Sequence, residues 1–556
     1  MKSNYILAAV MGTLLASTSA SALTIKPYFL NKNPLGTVPP APDMAVDTVG
    51  RGVPIISAAN PLTIQFQGIS QYDVRSVNGG GSFIPPDTNG SVGLTQYMEV
   101  SNGAYAVYDK NTGAQLLLQS MTGWWTSRGQ AGSNGDSRVM YNADAKRWIV
   151  MSFGASVANL NIAISNTDDA LGGWQTLNFT GFAGGTADYP TLALDKTSVY
   201  IGTNNFAPSF KGTTLNVIPI DSLFNNSTPT VANMKQFVTA FPGTGVDKGF
   251  AQQGVNSSDG DGIGRVLAAS IYAFDNVAFD VTGATSTSAL GATVPAGDGT
   301  YLNMAAFVSA GAGRQPAALP ANQRIISTLD ERISSSVYEV GGRIYMVNTV
   351  NSGLDALDEA RVRYTIIDST TKAIIAQGDI GAAGYDYYQG AIAVNALGQV
   401  VITYNRSGNQ TADNNGDGKP DGRISVMAQT FKTSALGDLV AVSGELLLKV
   451  SDTDDYHNGS REGFNAAGRQ RWGDYAQVNV DPGTSHGFYL IGEFAREWNN
   501  AAGGHPTGTG GSSWGTWIAG MNVGSVPEPT SWAMMITGFG FIGGAMRRQR
   551  KSLATA

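Results

Sequence analysis

The chain has 556 residues, with 35 Lys and Arg against 42 Asp and Glu, a formal net charge of −7 and no cysteine. That balance disfavours nucleic acid and anionic membrane surfaces as partners, because phosphate binding needs a basic patch and none is visible. The lack of cysteine excludes disulfides and thiol chemistry, and three histidines alone cannot readily assemble a zinc or copper site.

In chain order, Lys2 is followed by an apolar run from Ile6 to Ala16 and then by Ala20-Ser21-Ala22, the layout of a secretory signal peptide over 1–22. The run falls short of the roughly 20 apolar residues that span a bilayer, so cleavage after Ala22 and export are expected. Residues 23–82 are rich in Pro, Gly and Asn and are predicted to form an irregular, extended arm.

From 83 to 524 the pattern changes to short runs of Val, Ile, Tyr and Phe alternating with small or polar residues and broken by Gly, Asn and Asp turns. One unit recurs along this stretch: a polar opening, an apolar strand, a turn, then a second, aromatic-rich strand. Openings fall near Asp87, Arg138, Pro190, Gln252, Ser336, Ala391 and Ala476, which makes seven. Multi-strand units without helices are what propeller blades need, since each small sheet must bury both faces against its neighbours. The fold class is therefore all-β, a β-propeller body of about seven units with six as the neighbouring count. A long β-sandwich is the structural alternative.

The openings carry more chemistry than packing demands: Asp87, Asp136 with Arg138, Asp188, Tyr388, and Arg471 with Asp474 and Tyr475. Inner strands of a propeller converge on its channel, so these groups are candidates for one polar funnel. Arginines could clamp a carboxylate bidentately, and a tyrosine or carboxylate could act as nucleophile. The competing reading is structural, with the same groups pairing across blades to hold them in register. Trp472, Trp498, Trp514 and Trp517 cluster late in the chain as sugar platforms or, more ordinarily for β-proteins, as core.

Asp413, Asn415, Asp417 and Asp421 stand at positions one, three, five and nine of a stretch that follows calcium-loop spacing, with Gly418 at the tight turn. Position twelve is Ile424 rather than a bidentate Glu, so the candidate is a short calcium site between strands, and a plain Asn/Gly hairpin turn is the alternative.

The last segment, 525–556, has three parts in order: Pro527-Glu528-Pro529 with Trp532 and Ala533, an apolar stretch to Met546 expected as a short helix, and a basic end with Arg547 and Arg548. The basic end stays cytoplasmic by the positive-inside rule, leaving the body outside. This tail resembles the PEP-CTERM sorting signals, in the variant with Trp-Ala after the second proline. The resemblance covers about thirty residues and implies transient membrane insertion and processing by an exosortase-type enzyme, in bacteria that secrete exopolysaccharide.

The body resembles exported bacterial propellers described as sialidase-like, through Pro85-Pro86-Asp87-Thr88-Asn89-Gly90, Gly135-Asp136-Ser137-Arg138, Arg471-Trp472-Gly473-Asp474-Tyr475 and Trp514-Gly515-Thr516-Trp517-Ile518. True sialidases add an arginine triad and repeated Asp-box turns, and the one near match, Ser165 to Trp174, has altered spacing. The expected function is thus a binding or scaffold module of the extracellular polysaccharide layer. A sialidase-like glycoside hydrolase acting on acidic glycans is the alternative.

Overall fold

The computed structural model describes residues 47–49, 61–225, 228–241, 247–258, 261–281, 299–316, 325–351, 359–454, 456, 469–498 and 512–524. Both terminal signals, 1–22 and 525–556, lie outside them, including the sorting residues Pro527, Glu528, Pro529, Trp532, Ala533, Arg547 and Arg548 and the expected apolar helix. Among the described residues no helix is long and apolar enough to cross a membrane.

Seven antiparallel units of four or five strands follow one another along the chain, the fourth and fifth joined within one nine-stranded sheet. Their inner strands include Asn89–Val92, Arg138–Asn142, Ala193–Leu194, Phe250–Ser257, Val337–Val340, Tyr385–Val394 and Gln477–Val480. These coincide with the seven sequence openings, and the sheets are numbered here as blades 1 to 7. The inner strands of blades 4 and 5 pair in parallel, Val255 with Val337 and Asn256 with Tyr338. All inner strands run in one sense, and the face at which they begin is called the mouth, the opposite face the base.

Burial follows position in the blade. The inner strand Asn89–Val92 is buried throughout, whereas the outer strand Lys235–Ala240 alternates half-buried and exposed, as a sheet edge with one covered face must. Between blades the cores are aliphatic and aromatic: Ile149, Met151 and Ile162 meet Leu192, Val199 and Ile201, and Tyr345, Val362 and Tyr364 meet Ile392, Ile402 and Phe431. Each such side chain contributes about 1.5–3 kcal/mol on burial. Close approach also sets some positions. A Cβ on Gly202 would lie 2.1 Å from the carbonyl oxygen of Gln252 in the next blade, so only glycine fits there.

The ring is closed by the chain's own beginning. Leu62–Ser70, expected to belong to an extended arm, is instead the outer strand of blade 7, with Leu62 opposite Met521 and Phe66 opposite Ile518. Ser70 then caps a short helix, Gln71–Val77, through a reciprocal capping box with Asp73. The polar composition of the arm hid this strand, in which Thr63, Gln65 and Gln67 face solvent at the sheet edge. Asn522 N–H donates to the Pro61 carbonyl at 2.7 Å, so both ends of the body leave from the base.

Glu99, in the second strand of blade 1, locks the closure. Its carboxylate accepts from the Ile69 N–H at 2.9 Å, the Tyr108 hydroxyl at 2.9 Å and the Thr516 hydroxyl at 2.7 Å. Between blades 4 and 5 a longer connection crosses the mouth, where Ile325–Ile326 pairs in parallel with Arg469–Gln470.

Candidate functional site

A repeated backbone feature opens the site. Asp87, Asp136, Tyr189, Ala251 and Gln389 all have left-handed backbone, with φ between 46° and 54°: Asp87 and Asp136 stand two residues before their inner strands begin, Ala251 and Gln389 two residues before the ladder resumes after a register shift within theirs, and Tyr189 directly after the Thr186–Asp188 pairing. Residues other than glycine adopt this conformation rarely, and its recurrence in five blades points to a constraint of the mouth itself.

There the acids and arginines of distant blades meet. Asp87 Oδ1 accepts from the Asp474 N–H at 2.8 Å and its Oδ2 from the Asn102 amide at 2.7 Å, while Asn102 Oδ1 accepts from the Asp136 N–H at 3.0 Å. Arg471 pairs with Asp474 at 3.0 Å, and these two side chains remain 30% and 14% exposed, so the cluster is open to solvent. Arg138 is buried; its Nε donates to the Pro190 carbonyl at 3.1 Å and its guanidinium lies 3.3 Å from the centre of the Tyr475 ring and 5.6 Å from that of Tyr189. Arg332 stacks on the same Tyr189 at 4.5 Å and holds Asp330 bidentately, both distances 2.6 Å.

Crowding of like charge in a desolvated place shifts these acids. Burial first, then the neighbouring Asp188 and Asp474, raise Asp136 to about 7 against the pull of Arg138 and Arg471. Asp87 is pushed well up by burial and by Asp474 and Asp136, and Asp188 is raised by burial against the nearby Arg332. Glu493, on the second strand of blade 7, is also raised well above the usual carboxyl range by burial and by Asp87. It carried no sequence signal, because it lies inside an apolar strand rather than at an opening.

Asp87, Asp136, Arg138, Asp188, Arg471, Asp474 and Tyr475 are thus brought together from blades 1, 2, 3 and 7. Tyr388 is not among them: it is fully buried, its hydroxyl bonded to Ser407 at 3.1 Å and its ring in the core with Ile326 and Trp472. Trp472 and Trp514 are core as well, their indole N–H groups donating to Asn405 and to the Phe83 carbonyl. The aromatic surface at the mouth comes from elsewhere. Phe206, Phe210, Phe241, Phe250 and Tyr272 form a continuous rim on blades 3 and 4, joined ring to ring at 5.2–6.5 Å, with Phe206, Phe241 and Tyr272 partly exposed. Its members are spread over three connections between strands, so no local motif announced them.

The Asp413 loop joins the second and third strands of blade 6 and therefore also lies on the mouth side. Asp413 accepts the N–H groups of Gly416, Asp417 and Gly418, Asn415 accepts that of Asp417, and Asp421 accepts that of Asn414. Among the described residues no group of three or more His, Asp or Glu side chains converges as a metal-holding set. Two clefts, of about 400 and 390 Å³, lie at the base, one lined by Gln399, Lys432 and His486 and the other closed by the buried Lys110–Asp481 pair at 2.7 Å.

Sheet order, strand sense and closure by the strand Leu62–Ser70 define the body as a seven-bladed β-propeller with a polar funnel at its mouth. No family model matches the chain, and no curated protein matches it. Solved structures with loose similarity include Drosophila Semaphorin 1b extracellular domains 1-2, at 9% identity with 84% of this chain and 88% of that one covered and a TM-score of 0.36. The N-terminal domain of Nup159 is similar at 9% identity, 84% and 98% coverage and a TM-score of 0.36. Kluyveromyces lactis Hsv2 is similar at 7% identity, 75% and 94% coverage and a TM-score of 0.33.

Proposed function

We propose that the protein is exported, processed by an exosortase-type enzyme after transient insertion of its C-terminal segment, and works at the cell surface or outside the cell as a binding or scaffold module of the exopolysaccharide layer. The terminal sequence signals support export and processing. The observation that carries the binding role is the solvent-open funnel in which Arg471, Asp474, Asp136 and Asp188 are held beside a partly exposed aromatic rim. Aromatic faces with convergent hydrogen-bonding groups are what a sugar chain needs.

A hydrolase reading keeps one specific support, since Asp136, raised to about 7, would hold a proton near neutral pH as a general acid must. The test is a glycan array with the secreted protein, followed by Arg471→Ala. The module reading expects binding without turnover, and a loss of at least fivefold in affinity in the variant with an unchanged melting curve. Turnover that disappears in Asp136→Asn would establish the enzyme instead, and no binding to any glycan would refute both.

A further inference from the structure

Blade 6 carries an apolar end at the base. Its strand Ser425–Thr433 lies between Gln399–Gly408 and Leu439–Ala441, with Lys432 opposite Gln399 on one side and Val440 on the other. Two connections turn at that end, 395–398 and 434–438. Leu397 in the first is 50% exposed, Leu436 in the second 83% and Val440 beside it 56%. Three of the nine large apolar side chains exposed among the described residues therefore gather at the end of one blade, and such a cluster marks a contact surface. Leu436 is held outward by a closed turn. Ser434 Oγ accepts the N–H groups of Leu436 and Asp438, both at 3.2 Å, and the Ser434 N–H donates to the Asp438 carbonyl at 2.8 Å.

The chain leaves the body at the same place. The cleft of about 400 Å³ at the base is lined by Leu397, Lys432 and Val442 of blade 6 and by His486, Val523 and Gly524 that follow from blade 7. Eight Cα steps lead from Gly524 to Trp532, where the apolar stretch of the tail begins, and they reach roughly 29 Å at most. With that stretch in a bilayer, Gly524 and the end of blade 6 beside it stay within this reach of the headgroups. A short tether makes a weak contact of a few side chains intramolecular, at a high effective concentration. Asp438 and Lys432 offset each other at this end, so the contact is apolar and needs no anionic lipid despite the acidic body.

We infer that, while the C-terminal segment is inserted, the protein seats the base end of blade 6 on the bilayer, with Leu397, Leu436 and Val440 in the headgroup layer and the mouth facing away from the membrane. This rests on the proposed insertion of that segment and adds the surface of the body that meets the lipid. Leucines entering the headgroup boundary beside a lysine are the pairing that interfacial segments use.

The test uses the unprocessed protein, whose lack of cysteine lets a single introduced thiol carry an environment-sensitive dye. Vesicles of phosphatidylcholine and phosphatidylethanolamine are added, with and without nitroxide-labelled lipid. Dye at Leu436→Cys and at Val440→Cys is expected to gain at least twofold in emission and to be quenched by the nitroxide, while dye at Val157→Cys, on the mouth side, stays unchanged. Leu397→Asp with Leu436→Asp should abolish the gain at Val440→Cys. Dye at Phe539→Cys, inside the apolar stretch, reports insertion independently. A quenched Phe539 position with unchanged 436 and 440 positions overturns the inference, leaves insertion standing and assigns the leucines to a protein partner such as the processing enzyme. An unquenched Phe539 position refutes insertion and the inference together. An equal gain at Val157→Cys means adsorption without orientation, and a gain at Leu436→Cys that grows with protein concentration in the absence of vesicles means a second copy covers the patch; either result overturns the inference.

Discussion

Glu99→Gln is the sharpest probe of how the ring is closed. Glu99 is fully buried, and burial outweighs its hydrogen bonds from Thr516, Ile69 and Tyr108, so its carboxyl is raised from 4.5 to about 7. A carboxyl whose folded value lies above its unfolded value favours the folded state most at low pH. That contribution is complete below about 4.5 and is lost as pH rises through about 7. At 1.36 kcal/mol per pKa unit, the full loss is about 3.4 kcal/mol, of which about 2.5 kcal/mol falls between pH 5 and pH 8. Urea unfolding of wild type and Glu99→Gln at both pH values isolates this share, because other titrating groups cancel in the double difference. The stability lost between pH 5 and pH 8 should be smaller in the variant by about 2.5 kcal/mol. The same pH dependence in both proteins, within about 0.5 kcal/mol, would refute the assignment of a strained, ionisable latch to Glu99.

Three further outcomes are expected. Arg363 and Asp379 form a fully buried bidentate pair at 2.6 and 2.8 Å in blade 5, so Arg363→Ala should cost about 3–5 kcal/mol in urea unfolding, and Arg363→Met with Asp379→Leu should recover most of it. Gly202→Ala should destabilise by more than the ~1 kcal/mol that glycine-to-alanine changes gain elsewhere, with the opposite sign, because its Cβ would strike the neighbouring blade's backbone; a thermal melt reads this. If the Asp413 loop holds calcium, excess calcium should raise the melting temperature by binding the folded state, and Asp413→Ala with Asp417→Ala should abolish the rise. A melting curve indifferent to calcium and to chelator would leave that loop as a hairpin turn.

The blade openings were legible because a recurring polar-to-apolar boundary is local: Asp87 and Arg138 stand where a loop meets an inner strand, and Ala391 where the inner strand's pairing resumes after a register shift. The funnel was legible for the same reason, since every propeller directs those boundaries to one face. The closing strand was not, because Leu62–Ser70 alternates apolar and polar residues within a Pro- and Gly-rich neighbourhood, and its partner Ser512–Asn522 lies at the other end of the sequence. Tyr388 misled for a related reason. It sits at an opening, but the register shift between Tyr388 and Ala391 and the segment that pairs across the mouth put its ring inside the core. Glu493 and the aromatic rim were invisible because their meaning comes from blades that are neighbours only in space.

The placement of both chain exits at the base has a mechanical consequence. With Pro61 and Gly524 on one side and Asp136, Asp188 and Arg471 on the other, a pull applied at Pro61 or Gly524 is delivered to blade 7, where Leu62–Ser70 and Ser512–Asn522 lie antiparallel with their free ends together. Tension between the two exits would unzip that hairpin-like pair one hydrogen bond at a time, a soft loading mode, whereas tension between a polymer in the mouth and a single tether would load the whole ring. A protein held at one end is therefore mechanically sturdier than one stretched between both.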